Sequence, residues 1–547
     1  ATTGQVVSAG SDAGFGKITL DMKQMATFAG WDFASIWGIV EGQSYPYLRF
    51  SPPPFRLSVS IVGPGSVTLN PPGGVYAPGT PVTLTATPAA GARFAGWTGA
   101  GTSETVLSIS LLVDAPKGVT AHFRRNYEIR TLAELQAIAT SDDFDGYYTL
   151  MNDLDASGTA NWNDAGTTDA VREGFRPIGT ALSATPSYFR GVFDGNGKKI
   201  TGLTINRPGA SHAGLFALLG REGEIRNLTL ENCWVTGETN VGALVAYNSE
   251  GTVVNCSSNG PVTGQFYTGG LVGYGYYGVL LDCSTAGTVT GGSYLTGAGA
   301  SCAGGLLGYN YYGSIENGVA TGRVLGDGPI GGLAGVNEYG TIATSYATGA
   351  VTATDGNNTW ISGGLVGYNK TGSISRSFAT GSVTGAAKHG SNQGLGGDKF
   401  GGLIGLNNGT VKDCFATGAV TETETSQSYV GGLIGCDYNT GKVTNCFATG
   451  PILTSGKNSS SVGGLIGMGG ALKACYWDLQ TTGRTTSSGG TGGVGKTSAE
   501  MKRQATFQPG GGTGANDWDF TSVWGIVEGQ SYPYLRFAST PFRLTVS

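Results

Sequence analysis

The chain has 547 residues, of which 97 are glycine and only 13% are charged, and its formal net charge is −5 at pH 7. It carries no basic run, which excludes the electrostatic footprint of a nucleic-acid-binding protein, and no run of about 18 apolar residues that could span a membrane. Apolar residues make up 39% of the chain. The glycine excess is therefore neither a collagen period nor a bare linker.

The two ends of the chain carry the same phrase. Residues 37–50 and 524–537 both read WGIVEGQSYPYLRF, and Met22 answers Met501 further upstream. We interpret the chain as one period, of roughly 480 to 490 residues, cut from a longer tandem array. Such arrays make length and reach.

Between these ends, the first elements read as a small β domain followed by a short helix. Residues 55–124 contain PGTPVTLTATPAAGARFAGW and a closing VTAHF, whose apolar alternation predicts strands. LAELQAIAT at 132–140 has apolar residues near helical spacing. AEMKRQATF at 499–507, mirrored at 20–28, is the other helix candidate.

A finer repeat fills the middle of the chain. Nine Gly-Leu phrases recur, with their leucines 27 to 38 residues apart. Each phrase alternates apolar residues between Gly, Asn and Thr, which predicts short strands and one coil of a parallel β-solenoid per repeat. Coils should stack at about 4.8 Å. The leucines predicted to form one core row are Leu215, Leu244, Leu271, Leu306, Leu333, Leu365, Leu403, Leu433 and Leu465.

Other residue types recur at fixed places in the repeat. We expect the paired glycines to allow tight corners with positive φ, and an asparagine row to form a ladder at a turn, since Asn tolerates left-handed backbone. The predicted asparagine ladder is Asn248, Asn310, Asn337, Asn369 and Asn407. A third predicted row is Thr321, Thr348, Thr380, Thr417 and Thr449.

Five of the eight cysteines fall at nearly the same coil position. Cys256 lies one coil from Cys283, and Cys414, Cys446 and Cys475 follow one another. Stacked Cα atoms near 4.8 Å are within disulfide range, so either bonded pairs or a row of buried free thiols fits. We favour free thiols, because ladder geometry points the Cβ atoms in parallel. The sequence contains no CxxC pair, so we do not predict a zinc site.

Candidate catalytic groups are sparse. Asp194 in FDGNG is the most tempting carboxylate, but an Asp followed by Gly is also a strong corner signal, and we expect that role. His122, His212 and His389 lie in unrelated segments. No cofactor is predicted. A calcium ion at Asp153 and Asp155 is an alternative to the turn or cap role that we expect of them.

The repeat also carries a family resemblance. GGLVGYNKTGSISRSFATGSVTG at 363–385 resembles the GLUG motif of bacterial surface proteins, including adhesins and some surface-anchored proteases. Residues 55–124 resemble the divergent internalin B-type repeat. The resemblance implies an all-β chain: a right-handed parallel β-helix with end caps, plus a small β-sandwich or β-grasp-like domain. The implied domains are 1–50, an exit cap of a preceding helix; 51–126, the small β domain; 127–205, an entry segment; 206–475, the GLUG β-helix; 476–537, an exit cap; and 538–547, the start of the next β domain.

The duplicated cap predicts an assembly contact. Residues 1–50 would form most of an exit cap without the solenoid that it closes, and its aromatic residues would leave an apolar patch in water. We expect Trp31, Phe33, Trp37, Tyr45 and Tyr47 to pack on the solenoid end of a preceding module or a neighbouring subunit. Such a contact is head-to-tail and builds a filament.

Together these features predict a non-catalytic extracellular or cell-surface protein, adhesin-like or structural, that forms a stalk, fibre or filament. Its main expected partner is itself, with glycans or proteins of a host or matrix as further candidates. The alternative is a carbohydrate-active enzyme, a polysaccharide lyase or hydrolase, on the same scaffold, since fold alone does not decide function.

Overall fold

The computed structural model describes residues 17–49, 54–141, 143–162, 172–179, 187–291, 301–354, 361–385, 397–423, 428–438, 442–455, 459–512, 514 and 517–537. The predicted domain start at 538–547, the first 16 residues and His389 lie outside these ranges. The chain divides into two compact units, residues 1–127 and 128–547.

The first unit begins with a small aromatic hairpin, residues 17–49, here called the N-terminal copy. Two 3-10 turns, Asp21–Lys23 and Met25–Phe28, precede the strands Trp37–Gly38 and Tyr47–Leu48. The strands pair antiparallel, with Trp37 opposite Leu48. The carboxylate of Glu41 accepts the Met25 N–H at 2.9 Å and ties the turns to the hairpin.

The rest of the first unit is the predicted small β domain. Its seven strands are Phe55–Val62, Gly65–Asn70, Val75–Tyr76, Thr80–Pro88, Ala92–Thr98, Ser108–Val113 and Lys117–Ile129. The second, fourth and sixth form an antiparallel sheet, and the others form a mixed sheet around the last strand. Trp97, Val82 and Val119 lie in the shared core.

The second unit opens on the predicted helix. It spans Leu132–Ala137 and continues as a 3-10 turn, Ile138–Thr140. Thr131 and Glu134 form a capping box that satisfies the free N–H groups of the first turn. Leu135 and Ile138 are buried, so the helix is held by one apolar face. A further 3-10 turn, Ser157–Asn161, follows.

From there the chain winds as a parallel β-solenoid of four sheets, which confirms the predicted fold class. Sheet 1 contains Val241–Gly242, Thr268–Gly269, Ala303–Gly304, Pro329–Gly331, Ile361–Gly363, Asp398–Gly401, Ser428–Gly431 and Ser459–Gly463. Sheet 2 contains Phe216–Leu219, Val245–Ser249, Val272–Tyr276, Leu307–Tyr311, Ala334–Glu338, Val366–Lys370, Ile404–Asn407, Ile434–Asp437 and Ile466–Gly469.

Sheet 3 follows sheet 2 along each coil and usually has two short strands per coil. Its strands are Tyr147–Leu150, Leu154–Asp155, Val192–Thr201, Glu224–Glu231, Thr252–Val254, Ser257–Ser258, Val279–Leu281, Ser284–Thr285, Ser314–Glu316, Val319–Ala320, Thr341–Ala343, Tyr346–Ala347, Ser373–Ser375, Phe378–Ala379, Thr410–Lys412, Phe415–Ala416, Lys442–Thr444, Phe447–Ala448, Leu472–Lys473, Cys475–Asp478 and Gly493–Lys496. Sheet 4 completes the coil with Thr204–Asn206, Trp234–Thr236, Val262–Gly264, Val289–Gly291, Val324–Gly326, Val351–Ala353, Val383–Gly385, Val420–Glu422 and Ile452–Thr454.

The leucine row lies at the centre of this winding. All nine predicted leucines are fully buried. The N–H groups of Leu333, Leu365 and Leu403 each donate a 2.8 Å hydrogen bond to the carbonyl of the next leucine in the row. Burial of each side chain contributes about 1.5 to 3 kcal/mol. The threonine row shows the same regularity: Thr380 and Thr417 donate through their N–H groups to the alanines one coil back.

The paired glycines have a different role from the one expected, because positive φ is not found at these pairs. Instead, they have no room for a side chain. A Cβ atom on Gly364 would lie 2.1 Å from the carbonyl oxygen of Gly402, and one on Gly332 would lie 2.1 Å from that of Gly364. These contacts are closer than any real Cβ makes, so glycine is required by coil-to-coil approach.

The asparagine row lies on sheet 2 strands and not at the left-handed turn that the sequence predicts. All five side chains are buried at the ends of sheet 2 strands, so their own backbone is extended rather than left-handed. The Asn337 amide donates to Asn369 at 2.9 Å, and Asn369 donates to Asn407 at 2.8 Å. Each also donates to the carbonyl of the glycine three residues on. The ladder therefore holds the corner that follows it.

Left-handed backbone instead recurs at two corners along the described part of the solenoid. Asn255, Asp282 and Asn317 adopt it between the paired strands of sheet 3, where Asn and Asp are favoured. The corner after sheet 2 uses Tyr312 and Tyr339, both with φ of 54°. Bulky residues in this region are uncommon.

The asparagine ladder ends on a carboxylate, which predicts a pH effect. Asn407 donates to Asp437 Oδ1 at 2.8 Å, and burial raises the pKa of Asp437 to about 6. Between about pH 4 and 6 the folded chain therefore retains a proton that the unfolded chain loses, and stability falls as pH rises through that window.

Asp437→Asn removes this charge and extends the ladder. We expect it to stabilise the protein by about 1 to 3 kcal/mol more at pH 7.5 than at pH 4. Urea denaturation at the two pH values measures the difference. A stability change that is equal at both would contradict the effect.

Candidate interaction site

The most developed surface of the solenoid is a stack of aromatic rings on sheet 3. We call Tyr346, Phe378, Phe415, Phe447 and Tyr476 the aromatic row. Consecutive rings from Tyr346 to Phe447 are 4.7 to 5.0 Å apart and tilted by 3° to 8°. The parallel register fixes this spacing, because Phe378 pairs with Phe415 and Phe415 with Phe447.

Residues 497–537, here called the C-terminal cap, cover the end of this row. The cap has two helical turns, Glu500–Lys502 and Gln504–Phe507, and a hairpin of Trp524–Gly525 with Tyr534–Leu535. Before it, the helix Leu479–Thr482, the 3-10 turn Gly490–Gly492 and the strand Gly493–Lys496 complete the last coil. The aromatic part of the predicted exit cap thus packs along the side of sheet 3.

Aromatic contacts join the cap to the row. The Trp524 ring lies 6.2 Å from Phe415 and 6.0 Å from Phe447, and Trp518 lies 5.9 Å from Tyr476. Trp518 and Trp524 are 1% and 0% exposed. Both tryptophans of the cap therefore belong to a buried core.

Polar groups fix the orientation of the cap. The Trp518 indole donates to the Ala474 carbonyl at 2.9 Å, and the Trp524 indole reaches Asp413 Oδ1 at 3.4 Å. The Tyr532 hydroxyl donates to Asp478 Oδ2 at 2.7 Å. Burial and this hydrogen bond raise the pKa of Tyr532 to about 12, so the hydroxyl stays a donor at neutral pH.

The N-terminal copy repeats the local structure of the cap. Arg49 Nε donates to the Trp37 carbonyl at 2.9 Å, as Arg536 does to Trp524 at 2.8 Å. The rings of Trp31 and Trp37 are 4.4 Å apart, against 4.5 Å for Trp518 and Trp524. Identical sequence therefore gives the same hairpin in both places.

The two copies differ in burial. Trp31 and Tyr45 are 44% and 39% exposed, and Phe33, Trp37 and Tyr47 are half-buried. The five residues predicted as an assembly contact thus lie together on one hairpin, and none is covered as fully as Trp518 and Trp524.

A second aromatic stack runs along the left-handed corner after sheet 2. The rings of Tyr277 and Tyr312 are 4.9 Å apart and those of Tyr312 and Tyr339 are 4.7 Å apart. All three side chains are more than 40% exposed. Since their faces stack on one another, this stripe presents ring edges and hydroxyl groups to solvent.

Asp194, the tempting carboxylate, is fully engaged within the fold. It accepts hydrogen bonds from Tyr147 at 2.9 Å, Arg226 at 3.0 Å, Asn227 at 3.2 Å and the Asn196 N–H at 2.9 Å. Burial alone would raise the pKa of Asp194, but these donors outweigh it and hold the pKa below its usual value. An ionised, saturated carboxylate fits a structural role.

The remaining candidate ligands are dispersed. Asp155 accepts the Ser157 N–H at 2.9 Å, which is the turn contact expected of it. Asp153 instead accepts the N–H of Lys199, on the strand Val192–Thr201, at 2.9 Å. Burial lowers the pKa of His212, whose Nε2 lies 3.2 Å from the Asn240 amide. Across the described ranges, no group of three or more His, Cys, Asp or Glu is arranged to hold a metal ion.

All eight cysteines are buried free thiols. Cys414 and Cys446 donate to the carbonyls two residues earlier, both at 3.1 Å, and Cys256, Cys283 and Cys475 do so at 3.3 Å. Each of these five thiols also lies 3.5 to 3.9 Å from a carbonyl oxygen of the preceding coil, so the sulfur atoms contact the backbone of two coils. Burial raises the pKa of Cys283 to about 12.

The comparisons with known proteins agree with the motifs. Residues 55–127 match the divergent InlB B-repeat domain. The GLUG motif matches residues 299–325, 329–352, 358–384 and 426–454. The chain contains both, as the resemblance predicted.

Two curated relatives are similar over part of the chain. Halomucin of Haloquadratum walsbyi is 40% identical over 153 residues, which are 26% of this chain and 2% of halomucin. A protein of Evansella cellulosilytica named as a Gly-rich membrane protein is 35% identical over 134 residues, which are 24% of this chain and 14% of that protein. The similarity therefore spans a small part of either relative.

Two solved structures show a distant likeness. A Bacteroides ovatus protein named as an immunoglobulin A1 protease is 16% identical, with a TM-score of 0.34, covering 76% of this chain and 93% of that one. An IgA1 protease is 17% identical, also at 0.34, covering 61% and 24%. At these scores the likeness carries no argument about function. Among the described helices, none has the length and apolar character needed to cross a membrane.

The duplicated phrase provides a matched pair of substitutions. Trp524→Ala removes a fully buried ring, and we expect it to lower the free energy of unfolding of the C-terminal cap by about 3 to 5 kcal/mol. Trp37→Ala, in the identical phrase, should cost the N-terminal copy about 1 to 2 kcal/mol in dilute protein. Hydrogen exchange of the two hairpins measures both, and equal costs would contradict the burial difference.

The thiols give a separate prediction. Because they are buried, none should react with a thiol reagent in native protein at pH 8, and all eight should react after unfolding without reductant. Mass spectrometry of alkylated peptides identifies each one. A missing pair, such as Cys256 with Cys283, would reveal a disulfide.

Proposed function

We propose that this chain is a non-catalytic structural or adhesin-like protein of the cell surface, one period of a stalk or fibre whose copies associate head to tail. The observation that carries this proposal is the duplicated aromatic hairpin, which is buried against sheet 3 in the C-terminal cap and is more exposed in the N-terminal copy. A second copy of the docking hairpin would allow one copy of the chain to bind the next, so that a fibre grows by addition of copies.

The solenoid itself supports a structural role. Its core rows continue coil after coil. The backbones of the leucines and the side chains of the asparagines and aromatic residues each contact the equivalent residue one coil away. The cost of deforming such a stack is spread over many hydrogen bonds in register, which suits a stiff spacer. The engagement of Asp194 by four donors further supports this reading over the enzyme.

The named relatives support the location. Halomucin and a Gly-rich membrane protein are names that fit surface material, and GLUG repeats resemble those of surface proteins. These names support the proposal that the chain lies outside the cell or on its surface. Its adhesin role would use the exposed faces, such as the tyrosine stripe, towards glycans or proteins of a host or matrix.

Two measurements test the proposal. Mild protease treatment of intact cells of the source organism should release peptides of this chain, and release only after lysis would contradict a surface location. Purified protein should leave the chain length of acidic and neutral polysaccharides unchanged. Depolymerisation by the wild type that Asp194→Asn abolishes, with circular dichroism unchanged, would favour the carbohydrate-active enzyme instead.

A further inference from the structure

The C-terminal cap shows which kind of surface covers the apolar face of the exposed N-terminal copy. Residues 37–49 are identical in sequence to residues 524–536, and in the C-terminal cap this phrase is seated on the aromatic row. The aromatic row that covers Trp524 is therefore the kind of surface that Trp37 would bind.

The hairpin is already in its docked conformation before it finds a partner. Asp32 accepts the Ala34 N–H at 2.8 Å, as Asp519 accepts that of Thr521. Ser44 accepts the Val40 N–H at 2.9 Å. Docking would thus require little ordering of the backbone, which is a main cost of association.

The solenoid presents complementary groups to each exposed side chain. In the seated cap, the Ala474 carbonyl accepts the first indole N–H, Asp413 faces the second, and Asp478 accepts the tyrosine hydroxyl. The equivalents in the N-terminal copy are Trp31, Trp37 and Tyr45, respectively.

We propose that residues 17–49 bind the aromatic row of a second copy of this chain, in place of that copy's own C-terminal cap. This inference rests on the proposed structural function and names its joint. The contact is heterologous, since the hairpin of one copy meets the solenoid of another. Repetition of such a contact without closure gives a filament.

The C-terminal cap of the second copy competes for the same aromatic row, and this competition sets the protein concentration at which two copies associate. A tethered cap acts at an effective concentration of about 1 mM, so it excludes the second copy in dilute wild-type protein. Weakening the tethered cap should open the row and shift association to lower concentration by about 100- to 1000-fold.

The experiment compares full-length variants by sedimentation and light scattering between about 1 µM and 1 mM, the range that the tethered competitor sets. The open-row variant carries Trp518→Asp and Trp524→Asp. These substitutions place charges in the buried cap interface and expose the aromatic row. We expect this variant to associate at micromolar concentration, while wild type associates only near the top of the range.

The matched control uses the duplicated phrase. Adding Trp31→Asp and Trp37→Asp to the open-row variant should abolish association. An open-row variant that stays monomeric throughout would overturn the proposal, and so would association that survives the four substitutions. Either failure would remove this joint between copies. The surface location and the absence of polysaccharide depolymerisation are tested separately, so their failure is distinguishable from failure of the joint.

Hydrogen exchange supplies a test that does not depend on the open-row variant folding. In wild type near 1 mM, where trans docking competes with the tether, residues 31–48 should gain protection that is lost on dilution. The Trp31→Asp, Trp37→Asp chain should show no concentration dependence there. Equal behaviour of the two chains would overturn the proposed contact.

Discussion

Hydrogen bonding between successive coils in exact parallel register is the constraint on which the rest of the second unit depends. It places each residue beside its equivalent one turn away, as with Leu365 between Leu333 and Leu403. At every position, this favours residues whose side chains can pack against, or hydrogen-bond to, an identical side chain. Leucine stacks in the core, asparagine amides donate and accept in series, and phenylalanine rings lie face to face.

The same constraint creates the need for a cap. Stacked rings on sheet 3 form a continuous apolar strip that cannot all face water. The C-terminal cap covers Phe415 and Phe447 with two tryptophans, while Tyr346, at the other end of the row, is only partly buried. The interface is therefore a mixed one. Its apolar rings supply burial, and Asp413 and Asp478 select the orientation.

Much of this architecture could be predicted from the sequence. The Gly-Leu phrases predicted the solenoid and identified residues that lie in its core, because period and apolar alternation report directly on coil stacking. The helix at 132–140 was predicted from apolar spacing, and its capping box was present in the letters T-x-x-E. The small domain agrees to within a few residues with the matched repeat.

Other features could not be read in this way. The aromatic row was missed, although an aromatic residue before Ala-Thr recurs in SYATG, SFATG and CFATG, because a repeat does not reveal which positions face a partner. The glycine pairs were assigned positive φ, yet their requirement is the approach of a neighbouring coil, which is not local information. The left-handed corner was likewise assigned to the asparagines rather than to residues such as Tyr312.

Because neighbouring coils present equivalent surfaces to one another, the solenoid is close to interchangeable along its length. Removal or duplication of a whole coil would bring leucine onto leucine and glycine onto glycine again, with no rearrangement of the core. The gap between the sheet 4 and sheet 1 strands already varies from two residues after Gly326 to twelve after Gly385. Recombination between repeats in the gene could therefore change the length of the molecule in whole steps while leaving both aromatic hairpins intact.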